Sequence, residues 1–143
     1  MRVVDRNALV PYSAEQMYQL VDDVESYAEF LPWCTATELK SRDAQELVAC
    51  LTIGYGAFNS SFTTRNMLEP PVQMSMQLLD GPFRTLEGLW GFRQIGEQGS
   101  EVTLRVEFEF SSRVQDALFG GTFETICNEL IEAFVKRAHQ LYG

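Results

Sequence analysis

The sequence predicts an α+β fold in which a curved antiparallel sheet of six or seven strands covers one long C-terminal helix. Three observations predict this fold. Apolar and polar residues alternate with a period of two through most of residues 47–110, and apolar residues recur every three or four positions from residue 123 onwards. Ser13 and Gln16 form a capping-box pattern after the first apolar segment. The 143 residues suffice for a single domain spanning 1–143.

The N-terminal quarter of the chain predicts one strand followed by two short helices. Val3–Val10 is expected to form the first strand, and the capping box of Ser13 and Gln16 begins the first helix. A second short helix is expected over about Glu25–Phe30. It ends before Pro32, because the residue that precedes a proline disfavours the helical conformation.

The alternating segments that follow predict the rest of the sheet, with turns at Gly56, at the sequence DGPF and at GEQGS. Each segment has one apolar face and one polar face, which is typical of antiparallel strands with one wet side. The final helix buries apolar residues at helical spacing, and we expect Gly120-Gly121 to weaken or kink its first turns.

Composition excludes several functional classes. The formal net charge is -9, which argues against DNA binding, since a general nucleic-acid surface needs a basic field. No Lys or Arg lies between Arg6 and Lys40, so the predicted N-terminal helices form a negative face. The first residues lack the apolar core of a signal peptide, and no segment is long enough to span a membrane. We therefore expect a cytoplasmic protein.

No familiar catalytic or metal-binding pattern is present. The three cysteines are far apart, His139 is the single histidine, and no CxxC, G-x-S-x-G or phosphate-binding loop occurs. We expect no metal, no cofactor and no catalytic residue. Five polar residues on the strands could reach an interior space and orient a ligand, or could face solvent: Asp5, Asn7, Tyr55, Arg65 and Asn66.

Three segments in this order carry a resemblance to a known family: VPYSAEQMYQLVDDVESYAEFLPWC, LLDGPFRTLEGLWGFRQI and VTLRVEFEFSSR. The chain resembles the coenzyme Q-binding protein and ribosome-association toxin RatA family of START-like, helix-grip domains, which is grouped with polyketide cyclase/dehydrase and lipid-transport proteins. The resemblance runs nearly end to end. It implies an elongated apolar cavity between the sheet and the C-terminal helix, with a mouth formed by the two short helices.

The resemblance and the alternation together give candidate ligand-binding residues, although the same side chains could simply fill a core. The expected cavity lining is Met74, Met76, Trp90, Phe92, Val106, Phe108, Phe123, Cys127, Leu130 and Phe134. The expected mouth residues are Tyr27, Phe30, Leu31 and Trp33, of which Phe30 and Leu31 are expected to pack and Tyr27 and Trp33 to form the rim.

The leading functional hypothesis is non-enzymatic binding of an isoprenoid quinone such as ubiquinone, or of another lipid, by a carrier or chaperone that supports respiration. The alternative is a RatA-like toxin that binds the large ribosomal subunit and blocks subunit association, using basic residues such as Lys40, Arg42, Arg113, Lys136 or Arg137. A more remote alternative is a cyclase-like enzyme. Transient contact with a membrane surface also stays open.

Overall fold

The computed structural model describes residues 1–143 and contains seven strands and three helices. The strands are β1 (Arg2–Val10), β2 (Cys34–Arg42), β3 (Glu46–Tyr55), β4 (Phe58–Glu69), β5 (Gln73–Asp80), β6 (Phe83–Ile95) and β7 (Gly99–Phe110). The helices are α1 (Ala14–Asp22), α2 (Tyr27–Phe30) and α3 (Arg113–Tyr142), with a 3-10 turn at Val24–Ser26 before α2. No helix is both long and apolar enough to cross a membrane.

The seven strands form one antiparallel sheet in the order β1-β7-β6-β5-β4-β3-β2. Buried and exposed residues alternate along β7, as the sequence predicts, with Val102, Leu104, Val106 and Phe108 facing the core. The predicted fold class is therefore confirmed. The strand β2 had no predicted counterpart, because this edge strand buries only its first residue, Cys34, fully and shows no apolar period.

Helix α1 begins at the predicted capping box. The Ser13 hydroxyl accepts from the Gln16 backbone N–H at 3.1 Å, and the Ser13 backbone N–H donates to Gln16 Oε1 at 2.9 Å. These two hydrogen bonds satisfy the backbone N–H groups of Ser13 and Gln16, which would otherwise lack partners at the start of the helix. The second predicted helix is split into the 3-10 turn and the single turn of α2, which ends at Phe30 before Pro32.

Helix α3 runs without a break through Gly120-Gly121 and packs mainly on β1 and β7. Arg2 and Arg6 project from β1 onto this helix, where they pair with Glu124 at 3.5 Å and Glu132 at 3.3 Å. A Cβ atom on Gly120 would lie 2.4 Å from Arg2 Nε, so a larger residue there would displace the Arg2 side chain. These contacts join α3 to the β1 edge of the sheet.

Candidate functional site

An apolar cavity of about 80 Å³ lies between the β3–β7 part of the sheet and α3, and the region from Val24 to Trp33 closes it. It has 19 lining residues, of which 16 are hydrophobic and none is charged. The lining consists of Val24, Tyr27, Leu31, Trp33, Ala49, Leu51, Ile53, Phe62, Thr64, Asn66, Met76, Leu86, Gly88, Trp90, Val106, Phe123, Ile126, Cys127 and Leu130.

Two aromatic clusters bound this cavity. One surrounds Phe123, whose ring lies 4.7 Å from that of Phe108 and 4.9 Å from that of Phe83. The other surrounds Phe134, whose ring lies 5.3 Å from Trp90 and 5.4 Å from Tyr27. The space between the sheet and α3 is therefore packed with aromatic rings at two places and contains the cavity between them. The apolar pattern in the sequence thus reflects both a filled core and a cavity.

The structure brings six of the ten predicted lining residues to the cavity wall: Met76, Trp90, Val106, Phe123, Cys127 and Leu130. The other four, Met74, Phe92, Phe108 and Phe134, are buried beside the cavity but do not line it. The prediction gave the correct, inward face of the strand or helix for all four. They do not line the cavity because they pack against other core residues beside it, as Met74 does by pairing with Trp90 across β5 and β6.

Three of the four predicted mouth residues, Tyr27, Leu31 and Trp33, line the cavity. All three are buried, with exposed fractions of 8%, 1% and 5%, so Tyr27 and Trp33 close the cavity instead of forming an exposed rim. Phe30 does not line it. Its ring lies 5.2 Å from that of Phe134, and the Arg137 guanidinium lies 5.1 Å from its centre, which corresponds to the expected packing role.

Part of the cavity wall is only partly buried. Leu51, Met76 and Leu130 keep partial exposure, in contrast to the buried core around them. Gly88 leaves a depression in the wall that the Met76 side chain fills, since a Cβ atom on Gly88 would lie 2.3 Å from Met76 Cε. Methionine is unbranched and adapts readily to irregular spaces, so a rotation of Met76 would enlarge the cavity into this depression.

The cavity wall contains only two polar side chains, Thr64 and Asn66, both on β4. The other four polar candidates lie elsewhere. Asp5 pairs with Arg105 at 3.2 Å, Arg65 pairs with Glu46 at 3.6 Å, Asn7 donates to Glu101 at 3.3 Å, and Tyr55 is exposed.

The cavity wall includes two groups with acid–base chemistry of their own, the Cys127 thiol and the Tyr27 phenol. Burial, with a smaller effect of the Asp22 charge, raises the pKa of Tyr27 above its ordinary value. Burial, with a smaller effect of the Glu124 charge, raises the pKa of Cys127 to about 12. The thiol is therefore protonated near neutral pH and is a poor nucleophile. No group of three or more His, Cys, Asp or Glu side chains is placed to hold a metal ion.

Sequence reasoning missed several wall residues, notably Thr64, Leu51, Leu86 and Ile126. The first three lie on alternating strands, and Ile126 is one turn from the predicted Leu130. Periodicity could therefore have found the face on which each lies. It could not show how far the helix stands from the sheet, which decides whether an inward side chain meets a neighbour or a void.

The surface charges divide into paired and free groups. On the negative N-terminal face, Asp22 binds Arg42 at 3.0 Å and Glu29 binds Arg137 at 3.4 Å. Glu15, Asp23 and Glu25 have no basic partner. Of the basic residues proposed for a ribosomal contact, Lys40, Arg113 and Lys136 are exposed and form no salt bridge. Of the basic residues proposed for this contact, these three are the most available to a partner.

Comparison with known families decides the assignment. Residues 10–135 match the sequence profile described as "Polyketide cyclase / dehydrase and lipid transport". The chain belongs to this family. Its relatives include the ribosome association toxin RatA of Vibrio cholerae, which is 43% identical over 143 residues, all of this chain and 99% of the relative. The family resemblance seen in the sequence is thus confirmed.

Two further proteins are similar to this chain. The mitochondrial coenzyme Q-binding protein COQ10 of Drosophila melanogaster is 28% identical over 142 residues, which cover 96% of this chain and 59% of that protein. The crystal structure of the Zhui aromatase/cyclase from a Streptomyces species superposes with a TM-score of 0.86 over 97% of this chain and 94% of that one. At 17% identity, this structural likeness shows the shared helix-grip fold alone.

Proposed function

We propose that this protein binds an apolar small molecule, such as an isoprenoid quinone or another lipid, without chemical conversion. The observation that carries this proposal is the cavity between the sheet and α3, with 16 hydrophobic residues among 19 and no charged one. Closed apolar cavities with a few polar groups are typical of small-molecule sites. The family description, which includes lipid transport, and the relative named for coenzyme Q binding both support it.

The ligand must expand the cavity as it binds. An apolar cavity of about 150 Å³ accommodates benzene, whereas this one measures about 80 Å³ and is closed by Tyr27, Leu31 and Trp33. Burial of apolar surface contributes about 25 cal/mol per Å², so an apolar tail that buries about 200 Å² gains on the order of 5 kcal/mol toward opening the wall and binding. Met76 and the partly exposed Leu51 and Leu130 are the residues expected to move.

Non-enzymatic binding is supported by the chemistry of the wall. Thr64 and Asn66 do not titrate near neutral pH, and the raised pKa of Cys127 keeps its thiol protonated. General acid–base catalysis works best with a group whose pKa lies near the operating pH. The wall has no such group, so the proposal assigns it to binding alone.

Tryptophan fluorescence tests the proposal directly, because both tryptophans of the chain, Trp33 and Trp90, line the cavity. Titration with decylubiquinone is expected to quench both residues saturably at one equivalent per chain, since a quinone in the cavity lies against both indoles. Single-tryptophan variants, Trp33→Phe and Trp90→Phe, report each site separately. Quenching of Trp33 alone would indicate surface adsorption and would contradict the proposal.

A second candidate function, ribosome association, is favoured by the relative named as a ribosome association toxin, which matches this chain end to end at 43% identity. In this proposal the protein binds the large ribosomal subunit from the cytoplasm and prevents subunit joining. The free cations Lys40, Arg113 and Lys136 would meet RNA phosphates, or the acidic face with Glu15, Asp23 and Glu25 would meet a basic ribosomal protein. The two functions are compatible, because one uses the interior and the other the surface.

Subunit-joining assays test this candidate. Purified protein added to dissociated subunits is expected to lower the joined fraction, and Lys40→Glu with Lys136→Glu should weaken that effect. Arg137 is unsuitable for charge reversal, because it packs on Phe30 and pairs with Glu29, so its replacement would also disturb the α2–α3 contact. Arg84→Glu is the matched control, since Arg84 is also exposed and forms no salt bridge. No effect of the wild-type protein at low salt would contradict the candidate.

A further inference from the structure

The two polar side chains of the cavity wall form one pair. Thr64 and Asn66 are two residues apart on β4, so both project from the same face of the strand into the interior. Their exposed fractions are 7% and 4%, which makes them two of the four buried polar residues in the protein. The other wall residues are hydrophobic or glycine, and the Tyr27 hydroxyl among them already donates to the Val21 carbonyl.

The hydrogen bonds of this pair fix its orientation. Thr64 Oγ1 donates to Asn66 Oδ1 at 2.8 Å, and Asn66 Nδ2 donates to Met74 Sδ at 3.5 Å. A thioether sulfur accepts hydrogen bonds and does not donate them, so the amide nitrogen of Asn66 faces Met74 and its oxygen faces Thr64.

The pair keeps unused hydrogen-bonding capacity. The second N–H of Asn66 has no partner, and neither do the acceptor lone pairs of Thr64 Oγ1. Buried side-chain amides normally make most of their hydrogen bonds. A pair of apolar residues would have suited the surrounding wall better, so the incomplete satisfaction of this pair points to a bound polar atom.

The location of the pair is interior. Asn66 lies opposite Leu47, which is fully buried, and Leu47 lies four residues along β3 from the partly exposed Leu51. Four residues of a strand span about 13 Å. Across β4 and β5, Asn66 lies opposite Met76, which is partly exposed and lines the cavity. The free hydrogen-bonding groups therefore lie beside Met76 and away from Leu51.

We propose that Thr64 and Asn66 determine ligand specificity by binding a carbonyl or hydroxyl oxygen of an otherwise apolar molecule, whose polar end lies beside β4. The Asn66 N–H donates to a carbonyl oxygen, and Thr64 Oγ1 accepts from a hydroxyl. Ionised head groups are disfavoured, because the wall has no charged side chain to compensate for their desolvation. This inference rests on the proposed function and names the ligand class for the same cavity.

Two probes that share a decyl chain test the inference by isothermal titration calorimetry: decylubiquinone, which has carbonyl oxygens, and decylbenzene, which has no oxygen. The wild-type protein is expected to prefer decylubiquinone. The double variant Thr64→Val/Asn66→Leu should bind decylubiquinone about tenfold more weakly, the loss expected for one hydrogen bond. It should bind decylbenzene at least as tightly as the wild type does.

The matched control is Thr63→Val, which makes the same change at the adjacent buried position of β4 and should leave both affinities unchanged. Retention of the decylubiquinone preference by the double variant, with both probes bound by the wild type, would overturn the inference and leave the proposed function intact. Failure of the wild type to bind either probe would overturn the proposed function and this inference with it.

Discussion

Replacement of Leu130 by tryptophan separates a ligand cavity from a filled core. Leu130 lies on α3, lines the cavity and is only partly buried, so the larger ring can extend into open volume. Cavity volume costs about 24 cal/mol per Å³. Filling all of the roughly 80 Å³ would therefore regain at most about 2 kcal/mol.

Strain in the surrounding wall opposes this gain, because insertion of extra atoms into a packed interior costs about 1–3 kcal/mol. The two effects are of similar size, so we expect the unfolding free energy of Leu130→Trp to change by less than about 1 kcal/mol. For a chain of this length that corresponds to a shift in melting temperature of at most about 4 °C. Decylubiquinone binding should be lost, since the indole occupies the ligand volume.

The assay is thermal unfolding of the ligand-free protein beside a decylubiquinone titration, with Leu104→Trp as the control. Leu104 is fully buried on β7 and does not line the cavity, so the same substitution there should destabilise the protein. Equal and severe destabilisation by both substitutions would refute the reasoning, because it would mean that α3 rests on a filled core at Leu130.

Three further predictions follow from individual wall residues. Gly88→Ala should displace the Met76 methyl group into the cavity and weaken decylubiquinone binding, with little change in melting temperature because the displaced atom ends a flexible side chain. Tyr27→Phe removes the hydrogen bond to the Val21 carbonyl, so calorimetry should show a loss of about 1 kcal/mol of stability, and stopped-flow fluorescence should show faster quinone association. The pKa of the Cys127 thiol is raised from 9.0 to about 12, so the folded state retains a proton that the unfolded chain releases. The contribution of this group to the unfolding free energy is complete below about pH 9 and is lost as the pH rises toward 12, by up to about 4 kcal/mol. In denaturant titrations Cys127→Val should remove this share of the pH dependence, while the Tyr18 and Tyr27 phenols, whose pKa values burial also raises, should keep theirs.

The fold could be predicted because its main elements have strong local signals. The alternation along β3–β7 and the capping box at Ser13 each reflect which face of an element is buried, and burial is what those patterns encode. The edge strand β2 escaped prediction because its register is fixed by pairing with β3, while most of its side chains face solvent.

The cavity could be predicted only in part, because periodicity gives the direction of a side chain and not the distance to its neighbour. Met74 and Met76 alternate on the same face of β5, yet Met74 faces Trp90 across the sheet and Met76 faces Gly88. The end of the Met76 side chain fills the space that the missing side chain of Gly88 leaves. The position of α3 over β1 and β7 is a long-range feature that no local pattern encodes.

The most direct test of the central claim, that the cavity between the sheet and α3 binds an apolar ligand, is native mass spectrometry of the protein purified without detergent, followed by lipid extraction. Our account predicts one molecule per chain with a long apolar segment and a carbonyl or hydroxyl group, present on the wild type and absent from Leu130→Trp. A ligand-free wild-type protein that also fails to take up added decylubiquinone, or an equal load on both proteins, would contradict it.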